Sequence, residues 1–138
     1  MNLRLPQEQL AGCCWLPRLV DKIRAAQQHQ LPLIYRLALG SGLGVDGYFL
    51  RHFRISFQVL RHAVQASEND GALASWFTQQ PHVRLETIQT WNHFAPNIGR
   101  QGHAGYVSRH LLKWVFMPKS IAHPVSSLFE AIEQDEQS

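Results

Sequence analysis

Cysteine is scarce in this sequence, and its two copies, Cys13 and Cys14, are neighbours in the chain. Adjacent cysteines cannot join distant segments, so the sequence excludes a framework of structural disulfides. No Cys-x-x-Cys spacing occurs either. We expect both residues to be small buried hydrophobic side chains, which is common for free cysteine, and a redox-active pair is the alternative.

Long apolar runs are also missing, and no stretch approaches the roughly 18 residues that a membrane span needs. The tetrapeptide Leu10-Ala11-Gly12-Cys13 matches the cleavage box of a bacterial lipoprotein. A secretory signal also needs an apolar stretch of about 7–15 residues before that box. Residues 1–9 contain Arg4, Pro6 and Glu8 instead. We therefore interpret the match as accidental and expect a cytoplasmic protein with no membrane association.

Charged residues make up only 17% of the chain, whereas hydrophobic residues make up 45%. A typical soluble domain has about 25% charged residues. This composition can build a core, and it suggests that a second copy or a protein partner covers part of the surface. All 13 Lys and Arg lie at or before Lys119 with six of the ten acids, which leaves that part at +7. The four acids from Ser120 onward give the C-terminal end a net charge of −4. The basic body could therefore attract anions, or it could attract this acidic end of the same chain.

Motifs for metal, nucleotide or nucleophilic chemistry are largely absent. The eight histidines never stand three or four residues apart, the spacing that places two ligands on one helix turn. We expect no metal and no cofactor, and a metal site assembled from distant segments is the alternative. Residues 42–47 match Gly-x-Gly-x-x-Gly, with Glu68 at a suitable distance for a ribose contact. Because the surrounding strand–helix–strand pattern is missing, we interpret these residues as a flexible turn.

Short apolar stripes at helical spacing, broken by Gly and Pro, predict an all-α fold. Leu16, Leu19, Val20 and Ile23 form the clearest stripe. Residues 31–39 fit a short strand or a short helix equally well. Further helices are expected after caps at Asp46, at Ser56 and at Asn69 or Asp70, over Val83–Ala95, over Tyr106–Phe116 and after Pro124. The chain length fits a single domain that spans residues 1–138. Short helices broken by Gly and Pro favour a compact orthogonal bundle of six or seven helices, with a frayed acidic C-terminal end.

Two polar helix faces and one amide are the candidate binding residues. The first face contains Arg18, Asp21, Lys22 and Arg24, where Asp21 at spacing three could orient both arginines around an anion. The second face contains Tyr106, Arg109, His110 and Lys113, a pattern that can contact nucleic acid. The simpler interpretation of each face is a solvated helix surface, because exposed charges usually contribute little.

Viewed down the axis of its predicted helix, Asn92 projects between Leu85 and Ile88 and therefore falls inside the apolar stripe. A buried amide needs hydrogen-bond partners. We expect a structural bond to a neighbouring loop. The alternative is a ligand contact made together with Trp91 and His93.

The order of these residues resembles an uncharacterised bacterial family, domain of unknown function 5069. The resemblance spans nearly the whole chain, and its most specific part is the segment with Leu16-Pro17-Arg18, Asp21-Lys22 and Arg24. It continues through Tyr35, Asp46, Phe49-Leu50, Trp91-Asn92 and an ending with Phe129 and Asp135-Glu136. The resemblance implies a stand-alone bacterial protein and implies no activity.

The sequence leaves three functional hypotheses. The first is a non-catalytic binding or regulatory module for an anionic small molecule or a protein partner, which includes a homodimer. The second is a small enzyme with a site assembled from Arg18, Asp21, Asn92 and a histidine. The third is weak nucleic-acid binding through the face from Tyr106 to Lys113.

Overall fold

The computed structural model describes residues 2–39 and 44–98, and most regular structure in these ranges is helical. This confirms the mainly helical class that the sequence predicts. The elements in chain order are β1 (Gln9–Leu10), β2 (Cys13–Cys14), α1 (Leu16–Gln27), α2 (Leu33–Ala38), α3 (Val45–Phe53), α4 (Phe57–Ala66), α5 (Asp70–Thr78), α6 (Leu85–Phe94) and a 3-10 turn, Ala95–Asn97. The helices predicted for Tyr106–Phe116 and after Pro124 lie outside the described residues, as does the face from Tyr106 to Lys113. The six- or seven-helix orthogonal bundle therefore stays a prediction.

A small hairpin at the start of the chain is the element that sequence reasoning missed. β1 and β2 pair antiparallel, with Gln9 opposite Cys14 and Leu10 opposite Cys13. The two loop residues, Ala11 and Gly12, both have positive φ angles, 56° and 76°, as the type I′ turn of a two-residue hairpin loop requires. The apparent cleavage box is therefore a β-turn whose Cys13 is completely buried.

Helix α1 is buried on nearly every side, not on one stripe alone. Its apolar stripe is fully covered as expected, and Pro17 occupies the first turn, where its missing N–H costs nothing. The residues assigned to its polar face are covered as well. Arg18 is 1% exposed and Lys22 is 6% exposed. The solvated-face interpretation is therefore wrong for these two residues, because other elements supply polar partners for them.

The remaining helices test several local predictions. Ser56 caps α4 by accepting from the Val59 N–H at 3.2 Å, and Asn69 caps α5 by accepting from Ala72 at 2.9 Å. These caps confirm the expected helix starts. Asp46 is not a cap, because α3 begins at Val45 and its cap position is Gly44. Residues Leu33–Ala38 form a helix, so no strand precedes the glycine-rich stretch and the dinucleotide motif lacks its context.

The core is centred on aromatic side chains from three helices. The Phe49 ring lies 4.9 Å from Phe53, 5.9 Å from Phe77 and 5.3 Å from Trp91, centroid to centroid. Such pairs add about 0.5–1.5 kcal/mol each beyond the apolar area that they bury. Leu85 was expected to be buried but is 71% exposed, because α6 packs through the half that carries Trp91. Among the described residues, no helix has both the length and the apolar character of a membrane span.

Candidate functional site

A buried ion pair joins α1 to the start of α3. The Lys22 Nζ lies 2.8 Å from both carboxylate oxygens of Asp46. The Trp15 indole also donates to Asp46, from Nε1 to Oδ1 at 2.8 Å. Burial lowers the pKa of Lys22, and the Asp46 carboxylate opposes that shift. The anion beside Lys22 is therefore a carboxylate of the chain itself.

Trp15 holds this pair in a conformation that is rare for a bulky residue. Its backbone has φ 71° and ψ −30°, a left-handed geometry that costs of order 1–3 kcal/mol outside glycine. Its backbone N–H donates to the Pro6 carbonyl at 2.9 Å. The Lys22 ammonium lies 4.9 Å from the centre of the indole ring, and the Arg18 guanidinium lies 5.7 Å from it. The ring therefore contacts both cations that the sequence assigns to an anion site.

The other two residues of that predicted site belong to a second network, the Arg4 network. Asp21 accepts three hydrogen bonds from Arg4, at 2.8–3.0 Å. Asp70, at the start of α5, pairs with Arg4 and with Arg24, both at 2.7 Å. The expected pairing of Asp21 with Arg18 and Arg24 is thus wrong, because Arg4 reaches its carboxylate from the N-terminal segment. The hydrogen bond from Arg4 is the main cause that lowers the pKa of Asp70.

Asn92 and Trp91 attach α6 to the hairpin. The Asn92 side chain accepts from the Cys14 N–H at 2.9 Å and donates to the Gly12 carbonyl at 2.7 Å. The Trp91 indole donates to the Cys14 carbonyl at 2.8 Å. These are the structural bonds to a neighbouring loop that we expected of Asn92.

The two thiols are free and buried. This confirms the expectation that both cysteines are small buried side chains. Burial raises the pKa of Cys14 to about 11 and raises the pKa of Cys13 further. Both side chains therefore stay protonated at neutral pH. Within residues 2–39 and 44–98, no group of three or more His, Cys, Asp and Glu side chains could hold a metal ion.

Open grooves lie at two places on the described surface. The first, which we call the α3–α4 groove, has a volume of about 400 Å³ and lies where α3 ends and α4 begins. It is lined by Gly47, Leu50, Arg51, Arg54, Ile55, Ser56 and Phe57. The second, the α6 groove, has a volume of about 590 Å³ and is lined by Gln89, Thr90, His93, Phe94 and Asn97. Of the trio predicted around Asn92, His93 lines the α6 groove, and Trp91 and Asn92 line neither of these two grooves.

The α3–α4 groove has a strong bias in charge. The 21 residues from Gly47 to Ser67 contain three arginines and two histidines but no acid. The Arg51 guanidinium lies 4.8 Å from the centre of the Tyr48 ring. Arg54 follows α3 with a left-handed backbone, φ 52°. Sequence reasoning missed these residues, although the acid-free stretch was a visible signal.

The predicted site residues therefore divide among separate places. Arg18 and Lys22 lie against Trp15, Asp21 and Arg24 belong to the Arg4 network, and Asn92 contacts the hairpin. Among the described residues, the hydrogen bonds of Asp21 go to Arg4 and those of Asn92 go to the hairpin, so no hydrogen bond joins these two side chains.

The fold and these contacts define a small, mainly helical protein with one buried ion pair, Lys22–Asp46, and one partly exposed network around Arg4. The chain belongs to the family described as Domain of unknown function (DUF5069), whose model matches residues 1–138. This confirms the resemblance found in the sequence. A search of curated proteins gives no match to the chain. The family description assigns no activity, and the expected bacterial origin stays a prediction.

Proposed function

We propose that this protein is a non-catalytic binding module for an anionic small molecule, and that the molecule binds in the α3–α4 groove. One observation carries the proposal. Two arginines, Arg51 and Arg54, line an open groove within a stretch of chain that contains no acid. Guanidinium groups recognise carboxylates and phosphates through paired hydrogen bonds. An anion in this groove would lie beside the exposed Arg54, and none of the described residues that line the groove is acidic.

The buried ion pair between Lys22 and Asp46 holds α3, the helix that carries one side of this groove, against α1. Asp46 fixes the first turn of α3 to Lys22 and Trp15, and the arginines lie on the last turn of α3 and directly after it. A binding site gains affinity when the elements that carry it do not have to be ordered by the ligand. In this proposal Arg18, Asp21, Lys22 and Arg24 support the fold from which the site is presented.

The accessibility of the reactive groups supports a binding role over an enzymatic one. The Lys22 ammonium is engaged by Asp46, and both thiols are buried with raised pKa values. The residues of the enzyme hypothesis, Asp21 and Asn92, are each used in structural bonds. Cytoplasmic location, assembly as a homodimer and weak nucleic-acid binding through Tyr106–Lys113 stay predictions that rest on the sequence alone.

Equilibrium dialysis of the full chain with labelled inorganic phosphate tests the proposal. We expect saturable binding at low ionic strength that weakens as salt screens the arginines. Arg54→Gln should weaken it at least tenfold. Arg36→Gln is the matched control, because Arg36 is an exposed arginine on α2 that does not line the groove, and it should leave binding unchanged. Equal losses in the two variants would show a general charge effect and would refute the site.

A further inference from the structure

We propose that the surface beneath the N-terminal segment, residues 2–6, is a binding site for an arginine residue of an extended peptide. We call this site the arginine cradle, and it consists of Asp21, Asp70 and Arg18. In this structure the chain's own Arg4 fills the cradle. The N-terminal segment is therefore a resident occupant, with which an arginine peptide of another polypeptide competes. This inference is independent of the α3–α4 groove.

The cradle holds the side chain of Arg4 with paired hydrogen bonds to carboxylates on two helices. Its Nε and Nη2 donate to the two oxygens of Asp21 at 3.0 and 2.8 Å, and its Nη1 donates to Asp70 Oδ2 at 2.7 Å. Arg24 donates to the other oxygen of Asp70, also at 2.7 Å, which orients this carboxylate independently of Arg4. A guanidinium fork can meet both carboxylates at once, whereas an ammonium is a point charge on a flexible stem. The cradle therefore selects arginine over lysine.

The cradle also contacts the peptide backbone of the same residue. The Arg4 N–H donates to Asp21 Oδ2 at 2.8 Å, and the Arg4 carbonyl accepts from Arg18 Nη1 at 3.2 Å. Two residues further on, the Pro6 carbonyl accepts from the Trp15 N–H at 2.9 Å. When a protein binds a peptide, main-chain bonds give affinity and side-chain sites give specificity. The N-terminal segment is bound in both ways, so the fold presents a complete site for one arginine residue with its backbone.

The N-terminal segment is exchangeable because polar bonds hold most of it. Asn2 and Leu5 are exposed, Leu3 and Arg4 are half-buried, and Pro6 is the buried residue of the segment. Segments with few buried apolar contacts open locally at a low cost in free energy. The tether to the chain gives the segment an effective concentration on the order of millimolar. A peptide in solution should therefore bind the native chain weakly and bind more tightly once the Arg4 side chain is removed.

The probe is a capped peptide with the sequence of residues 2–6, and the same peptide with lysine in place of arginine is its control. Both should be titrated into the native full chain and into Arg4→Ala while amide NMR signals are recorded. We expect the arginine peptide to bind Arg4→Ala about tenfold more tightly than the native chain, and about tenfold more tightly than the lysine peptide does. Adding Asp70→Asn to Arg4→Ala should weaken this binding about tenfold, since a hydrogen bond to a charged group is lost. Adding Glu68→Gln, which changes an exposed acid before α5, should leave it unchanged.

Three results would overturn the inference and leave the cradle as a structural contact alone. They are no binding of the arginine peptide to Arg4→Ala, equal binding of the two peptides, and equal binding of the arginine peptide to Arg4→Ala and the native chain. Equal losses from Asp70→Asn and Glu68→Gln would show a general charge effect and would also refute it. Urea unfolding checks that Arg4→Ala is folded, and Arg4→Gln, which keeps most of the aliphatic stem, takes its place with the same expectations if it is not.

Discussion

Replacing Lys22 with methionine should greatly destabilise the protein. Lys22 and Asp46 are both nearly inaccessible to water, and the ammonium lies 2.8 Å from each carboxylate oxygen. Removing one partner of a buried pair leaves the other charge without its counterion, which costs about 3–5 kcal/mol. A domain of this size has a total stability of about 5–15 kcal/mol. Lys22→Met should therefore leave a marginal protein, although methionine fills a similar volume.

Urea unfolding followed by tryptophan fluorescence measures this effect, because Trp15 and Trp91 are buried reporters. Arg36→Gln is a suitable comparison, because Arg36 is exposed and surface substitutions usually stay within about 0.5 kcal/mol. The double variant Lys22→Met/Asp46→Leu should recover part of the loss, since no buried charge is then left alone. A loss below about 1 kcal/mol in Lys22→Met, the value of an exposed pair, would refute the reasoning.

Three further predictions follow from the remaining networks. Asn92→Ala breaks a partly buried bond to the Cys14 N–H and an exposed bond to the Gly12 carbonyl. It should cost about 1–3 kcal/mol in the free energy of unfolding by urea, the cost of one unpaired buried group; an unchanged midpoint would contradict this. Because the pKa of Asp70 is lowered in the folded state, its contribution is present above about pH 4 and is lost as the pH falls further. Melting temperatures from pH 7 to pH 3 should therefore fall less steeply in Asp70→Asn, and parallel curves would count against the pairing. Cys13 and Cys14 should react with a thiol reagent only after unfolding, because burial raises their pKa values; rapid labelling of the native protein would show that the hairpin opens.

The sequence predicted those elements whose signals are local. The apolar stripe of α1 and the caps at Ser56 and Asn69 are visible within one helix turn, because helix periodicity and capping depend on neighbouring residues. The hairpin was missed because its strands have two residues each, too few for an alternating pattern. The positive φ angles of both loop residues could not be predicted either, because alanine, at position 11, rarely adopts that conformation.

The burial of Lys22 and Arg18 could not be predicted from the pattern of α1. A helical wheel assigns charged residues to solvent, and their partners come from other elements. Asp46 is 24 residues away from Lys22 in the sequence, and the Trp15 ring that lies against both cations comes from the residue before α1, whose backbone has a positive φ. The family resemblance did single out the α1 segment and Asp46, but it did not imply that Lys22 and Asp46 touch. The α3–α4 groove likewise depends on how two successive helices meet.

Mapping where phosphate binds tests the central claim most directly. Inorganic phosphate should be titrated into isotope-labelled full-length protein while the amide NMR signals are recorded. We expect saturable shifts concentrated on residues 47–57, and we expect Arg54→Gln to remove them while Arg36→Gln leaves them unchanged. Shifts concentrated on the α6 groove around His93 or on α1, or no saturable shifts at all, would contradict this claim.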